Sequence, residues 1–159
     1  MQNVDLNNAA KVLQESGQMA ALTSGRSMRP MLKEHRDVVV IEQVKNGLEK
    51  GDVVLYSNGQ GGFILHRIVK IKKEALVIRG DNNYFTEYNV KTSDIVGVLK
   101  EFYREGKYID CATDKGYRLY TFYILHSYCL RYVWVKFCIP PLVKVKHLIF
   151  GKPKSPKNN

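Results

Sequence analysis

Leu6, Ala9, Ala10, Leu13, Met19 and Leu22 recur at three- and four-residue steps, the spacing that puts apolar side chains on one face of a helix. The pattern predicts an amphipathic helix over residues 6–22. Gly17 is its weak point, because glycine costs ~1 kcal/mol against alanine inside a helix. After Ser24-Gly25 the period changes. Val38-Val39-Val40-Ile41 and Val53-Val54-Leu55-Tyr56 are short β-branched runs bounded by turn residues, which marks strands. Asn58-Gly59-Gln60-Gly61-Gly62 reads as a hairpin turn into a strand over 63–71. A strand over 76–78 pairs with it across Lys72-Lys73-Glu74, and further strands are expected over 95–103 and 107–109. Gly80-Asp81-Asn82-Asn83 reads as a loop. The expected fold class is mainly β (α+β), with an N-terminal helix over 1–23 and an antiparallel β domain over 24–114.

Composition narrows the classes. With 159 residues, 45% of them hydrophobic and clustered, the chain is one ordinary domain with room for an appendage, and disorder throughout is excluded. Three cysteines, Cys111, Cys129 and Cys138, are an odd number without CxxC spacing, which favours reduced thiols and gives no zinc signature. No cofactor and no metal is expected. Residues 1–10 are polar and carry no secretory signal, so the expected location is cytoplasmic.

The net charge of +10 is unevenly spread. Residues 1–114 hold 16 basic and 15 acidic side chains, whereas residues 115–159 hold nine basic ones and no acid. The same C-terminal segment holds nine of the 17 aromatics.

Three stretches bear on chemistry. In Ser24-Gly25-Arg26-Ser27-Met28-Arg29-Pro30-Met31-Leu32, glycine permits a tight backbone ahead of Ser27 and proline rigidifies the exit, so the turn can present the Ser27 hydroxyl. Alone, it reads first as a polar connection. In Ile64-Leu65-His66-Arg67-Ile68-Val69, strand alternation puts His66 on a face with Ile64 and Ile68, a setting that keeps imidazole neutral and able to accept a proton. A half-buried histidine bonded to a carbonyl fits the same pattern. Arg79-Gly80-Asp81-Asn82-Asn83 follows the strand expected beside His66, where a carboxylate could fix its tautomer, although Gly-Asp-Asn is also ordinary turn chemistry.

In this order and spacing the stretches, with the Gly51-Asp52-Val53-Val54 strand and Ile95-Val96-Gly97-Val98, resemble the signal peptidase I and LexA-type serine peptidases over about residues 24–99. The histidine is similar to that of the archaeal, ER and spore-former signal peptidases, where it replaces a lysine general base. The resemblance implies a coiled antiparallel sheet and a serine endopeptidase acting on a peptide or precursor protein. It implies Ser27 as nucleophile, with its backbone N–H in the oxyanion hole, His66 as general base and Asp81 as the residue orienting His66. Met28 and Pro30 would contact a substrate lying extended against a sheet edge, with small side chains near the cut. Gly25 stands where the bacterial signal peptidases carry serine, Arg36-Asp37 where that family has Gly-Asp, and no N-terminal anchor of the family's kind is expected. Two alternatives are a LexA-like self-cleaving regulator and an inactive peptide-binding module. The first is disfavoured, because about 22 residues before the motif are too few for a helix-turn-helix domain.

The C-terminal segment has its own readings. A helix is expected over about 119–138 and a shorter one after Pro140-Pro141, with residues 151–159 disordered. The stretch 119–130 is uncharged, but Arg131 and Lys136 interrupt it before the ~20 apolar residues a spanning helix needs. Aromatic and basic side chains over 117–150 suit an anionic membrane surface, with the protein peripheral to it. They equally suit a layer that completes the core. Nucleic acid is disfavoured, since no recognition motif accompanies the charge.

Overall fold

The structure, a computed structural model, describes residues 6–59, 62–73 and 75–128. Helix α1 (Leu6–Ser16) follows the apolar period but ends earlier than that period suggests. Gly17 adopts φ 73° and donates its N–H to Leu13 O at 3.0 Å, a helix stop that glycine takes without a Cβ penalty. The expected helix over 17–22 is therefore replaced by strand β1 (Gln18–Leu22), in which Met19 pairs with Ile41 and is buried. An i, i+3 coincidence of Met19 with Leu22 imitated a helix, whereas alternation of buried Met19 with exposed Ala20 is what the fold uses.

The remaining strands are β2 (Val38–Glu42), β3 (Val53–Ser57), β4 (Phe63–Ile71), β5 (Leu76–Arg79), β6 (Glu87–Val90), β7 (Ile95–Arg104) and β8 (Lys107–Asp110). Among the described residues they form one antiparallel sheet in the order β1-β2-β7-β3-β4-β5-β6, with β8 pairing β7 beyond the end of β3. The mainly β expectation with two helices is met. The sequence predicts no strand at β6, whose Glu-Tyr-Asn-Val lacks a β-branched run, and β6 forms because the Gly80–Asn83 turn lays it against β5.

The core has two parts. Leu13 of α1 packs with Met28, Met31, Leu32, Val39, Ile41, Val53, Leu99 and Phe102, while Val54, Tyr56, Ile68, Leu76 and Ile78 form a second cluster. Gly97 makes the first possible. A Cβ there would lie 2.6 Å from Glu42 O and 2.8 Å from Leu13 Cδ2, so only glycine lets α1 close onto β7.

Helix α2 (Lys115–His126) starts at Asp114, whose carboxylate accepts the Tyr117 N–H at 2.7 Å as an N-cap. A first compact unit runs through Leu125, so the opening turns of the cationic segment belong to it. The helix begins four residues before the expected 119. The readings for residues 129–159 lie outside the described residues. Among the described residues no helix is long and apolar enough to cross a membrane.

Candidate functional site

Ser27 sits on the loop between β1 and β2, and buried polar bonds fix that loop at its base. Thr23 N donates to Asp37 O at 2.9 Å, Thr23 Oγ1 lies 2.7 Å from Lys33 O, and Lys33 N donates to the buried Asp37 carboxylate at 2.8 Å. Burial pushes the Asp37 pKa up, but the Arg36 guanidinium and the Lys33 N–H outweigh it and hold the carboxyl below its ordinary value. Nearer the tip, Glu34 receives Arg26 at 2.9 Å and Arg29 at 2.8 Å. Met28, Met31 and Leu32 plug the loop into the core.

The loop also leans on the β5–β6 turn. Asn82 N donates to Ser27 O at 2.7 Å, and Asn82 Nδ2 donates to Arg26 O at 3.2 Å. Gly80 allows this approach. A methyl on Gly80 would lie 2.7 Å from Ser27 O and 2.9 Å from His66 Nε2, so one missing side chain brings the serine backbone and the imidazole to the same spot. Among the described residues no hydrogen bond joins Ser27 Oγ to His66. Nε2 has Asn83 Nδ2 at 3.5 Å.

His66 lies on β4, opposite Val54 of β3, and is buried. Its Nδ1 is 2.8 Å from Glu87 Oε1, close in distance but bent away from a straight hydrogen bond, and among the described residues no other group bonds that nitrogen. Tyr56 donates its hydroxyl to Glu87 Oε2 at 2.6 Å, which fixes the carboxylate from its other side. Burial lowers the His66 pKa and outweighs the Glu87 charge, which raises it, so the ring sits below its ordinary 6.5. A carboxylate at Nδ1 puts the proton of the neutral ring on that nitrogen and leaves Nε2 as the acceptor facing Gly80.

Asp81 stands elsewhere than the resemblance implied. Its carboxylate is fully buried and takes a two-pronged bond from Arg67, Nε to Oδ1 at 2.8 Å and Nη2 to Oδ2 at 2.7 Å, with Tyr120 Oη 3.1 Å away. Strand alternation separates the two roles, since His66 and Arg67 point to opposite faces of β4. Glu87 is the carboxylate at the histidine, and it was missed because β6 was. Its only trace in the sequence is a lone acid ahead of Tyr-Asn-Val, within one short turn of Gly80-Asp81.

Arg67 does more than hold Asp81. It donates to Gly51 O at 2.8 Å and Thr121 Oγ1 at 3.0 Å, and lies over the Tyr117 and Tyr120 rings at 5.6 and 5.8 Å. One buried guanidinium thus ties α2, the start of β3 and the Gly80 turn together. Burial opposes its charge, yet the Asp81 bonds hold its pKa above the ordinary value.

An apolar cleft of about 280 Å³ opens beside Ser27, between β1 and the first half of β4, with Met28 in its wall. Pro30, in a cis peptide with Arg29, is exposed and is not among the residues lining it. The cleft runs between incomplete sheet edges. Among the described residues β1 pairs only with β2, and β4 pairs with β5 only from Arg67 onward, which leaves residues 63–66 without a described strand partner on that side.

No family model and no curated protein matches the chain. The site therefore speaks through its geometry alone.

Proposed function

We propose that the protein is a serine endopeptidase of the signal-peptidase type, with Ser27 as nucleophile, His66 as general base and Glu87, steadied by Tyr56, orienting the imidazole. The observation that carries the reading is the convergence at Gly80 of the Ser27 backbone and Nε2 of a buried histidine whose other nitrogen faces a carboxylate. Serine is a weak nucleophile at its own pKa and needs such a neighbour to take its proton. A neutral imidazole whose Nε2 carries the lone pair can take it and pass it to the leaving amine.

In this reading the substrate is a peptide or precursor protein. An extended segment would enter the cleft between β1 and residues 63–66 and use their unpaired main-chain groups. The Ser27 N–H, and other loop N–H groups, would receive the developing oxyanion. Asp81 acts on the site through Arg67 and the Gly80 turn, as a positioning residue. An anionic membrane surface is proposed as a further partner, favoured by exposed Leu119, Phe122 and Tyr123 on one face of α2 in a segment with nine basic side chains and no acid.

The test is a library of unstructured peptides incubated with the full chain and read by mass spectrometry. Internal cuts made by the wild type and absent with Ser27→Ala and His66→Ala support the reading. The same cuts with all three proteins overturn it. Cleavage of the chain itself, in place of added peptides, favours the self-cleaving alternative.

A further inference from the structure

We propose that Asn83 is a further catalytic residue of this site. Its side-chain amide caps the lone pair of His66 Nε2 in the resting protein. As Ser27 attacks, the same N–H passes to the oxygen of the scissile carbonyl. The proposal rests on the peptidase reading and adds a working residue to it.

Placement is the first argument. Asn83 Nδ2 lies 3.5 Å from His66 Nε2. A methyl built on Gly80 would lie 2.9 Å from Asn83 Nδ2, 2.9 Å from His66 Nε2 and 2.7 Å from Ser27 O. The amide, the base and the backbone of the nucleophile therefore border one gap. The turn that carries Asn83 is tied to the Ser27 loop. Asn83 N donates to Gly80 O at 2.9 Å, while the neighbouring Asn82 donates to Ser27 O and Arg26 O. The chemistry of the ring is the second argument. One segment, residues 80–87, supplies a partner to each imidazole nitrogen, Glu87 to Nδ1 and Asn83 to Nε2. With the ring proton on Nδ1, Nε2 offers a lone pair, which accepts the amide N–H and repels the amide oxygen. At 3.5 Å this bond is long and weak, which suits a partner that must be exchanged during the reaction.

The proton transfer is the third. Attack by Ser27 breaks its Oγ–H bond, forms an N–H bond at His66 Nε2, and joins Oγ to the carbonyl carbon. The carbonyl electron pair moves onto its oxygen, which becomes an oxyanion. Nε2 is then a donor, so the Asn83 N–H loses its acceptor in the same step that creates a stronger one. The new acceptor is close. It lies two bonds from Oγ, and Oγ must come within hydrogen-bond distance of Nε2 to be deprotonated. An amide already 3.5 Å from Nε2 reaches that oxygen by rotating about its side-chain torsions. Asn83 is half-buried, so its N–H is partly withdrawn from water and open to a substrate lying over Ser27. A donor used this way stabilises the transition state more than the ground state, which is the condition for raising kcat.

Two measurements on the full-length protein separate the cap from the transfer. The first needs no substrate. The His66 ring is followed by NMR through a pH titration in the wild type and in Asn83→Leu, which removes the N–H and still keeps water from the ring. A donor on the lone pair favours the neutral ring, so its loss should move the midpoint to higher pH. Glu87 on β6, Asp81 in the turn and Tyr56 on β3, through Glu87, also act on His66, and the substitution leaves them in place. An unchanged or lower midpoint overturns the cap. If circular dichroism shows the leucine variant unfolded, Asn83→Ala is read by the Nε2 nitrogen-15 shift, which should move towards that of an unbonded nitrogen. The second measurement is kcat on the best-cleaved peptide, with affinity read by anisotropy in the Ser27→Ala background. Asn83→Ala should lower kcat by ~10²–10³-fold with affinity retained, the usual loss for one oxyanion donor. Asn83→Gln, which keeps the N–H on a longer arm, should recover part of that rate. A kcat for Asn83→Ala equal to or above the wild-type value overturns the transfer. A wild-type protein that cuts no peptide overturns the peptidase reading and the transfer with it, while the titration still decides the cap.

Discussion

Two carboxylates six positions apart, Asp81 and Glu87, divide the work that the sequence assigned to one. Asp81 neutralises a guanidinium with no exposure to solvent, and Glu87 faces the imidazole. Their substitutions should therefore fail differently. Glu87→Gln removes the charge that favours the productive tautomer, and kcat on the best-cleaved peptide should fall about 10²-fold or more while Tm changes little. Asp81→Asn leaves Arg67 buried with half its partner, which should destabilise the fold by roughly 3–5 kcal/mol and show as a large drop in Tm. If Asp81→Asn keeps its Tm and Glu87→Gln keeps its kcat, the division of roles is wrong.

The histidine also makes a prediction about pH. Burial favours its neutral form, so the acid limb of kcat/KM should have its midpoint below 6.5, activity being lost as pH falls and the ring takes up a proton. Glu87 pulls the other way, so Glu87→Gln should move that midpoint to still lower pH. A midpoint above 6.5, or an upward move in the variant, would contradict the assignment of His66 as base.

At the scale of elements, the strands with β-branched runs were legible, and so was β8 behind its Glu105-Gly106 turn, whereas β1 and β6 were not. β2, β3 and β4 announce themselves through Val and Ile, and Ser27 and His66 could be read from the stretches that carry them. β1 was hidden because Gln-Met-Ala-Ala-Leu has no β-branched residue and its Met and Leu fall at helical spacing. β6 was hidden because its pairing is set by the turn ahead of it, and Glu87 was hidden with it. Two glycines hold elements together by what they lack. Gly80→Ala should abolish cleavage, since its Cβ would fall within 3 Å of both Ser27 O and His66 Nε2, and peptide binding read alongside locates the damage at the site. Gly97→Ala should act on stability, because it pushes α1 from β7, with a fall in Tm by thermal denaturation as the readout.

Across the whole molecule, charge and chemistry occupy different stretches of chain. The near-neutral part up to residue 114 contains Ser27, His66 and Glu87, and the cationic part begins with a helix that Arg67 bonds to the β domain. Tyr117, Tyr120 and Thr121 of that helix face the Arg67–Asp81 pair, while Leu119, Phe122 and Tyr123 stay exposed. The full chain should sediment with anionic liposomes at low ionic strength and come off near 1 M salt, where the Debye length shrinks to ~3 Å. Binding that is indifferent to salt and lipid charge would remove the membrane partner.

The central claim is that Ser27 attacks a peptide bond. The most direct measurement is kcat/KM for the best-cleaved peptide with wild type and with Ser27→Ala, each checked for peptide affinity. A fall of ~10³-fold or more with affinity retained is expected, because removing the nucleophile leaves only oxyanion and binding contributions. Equal kcat/KM for the two proteins would contradict it.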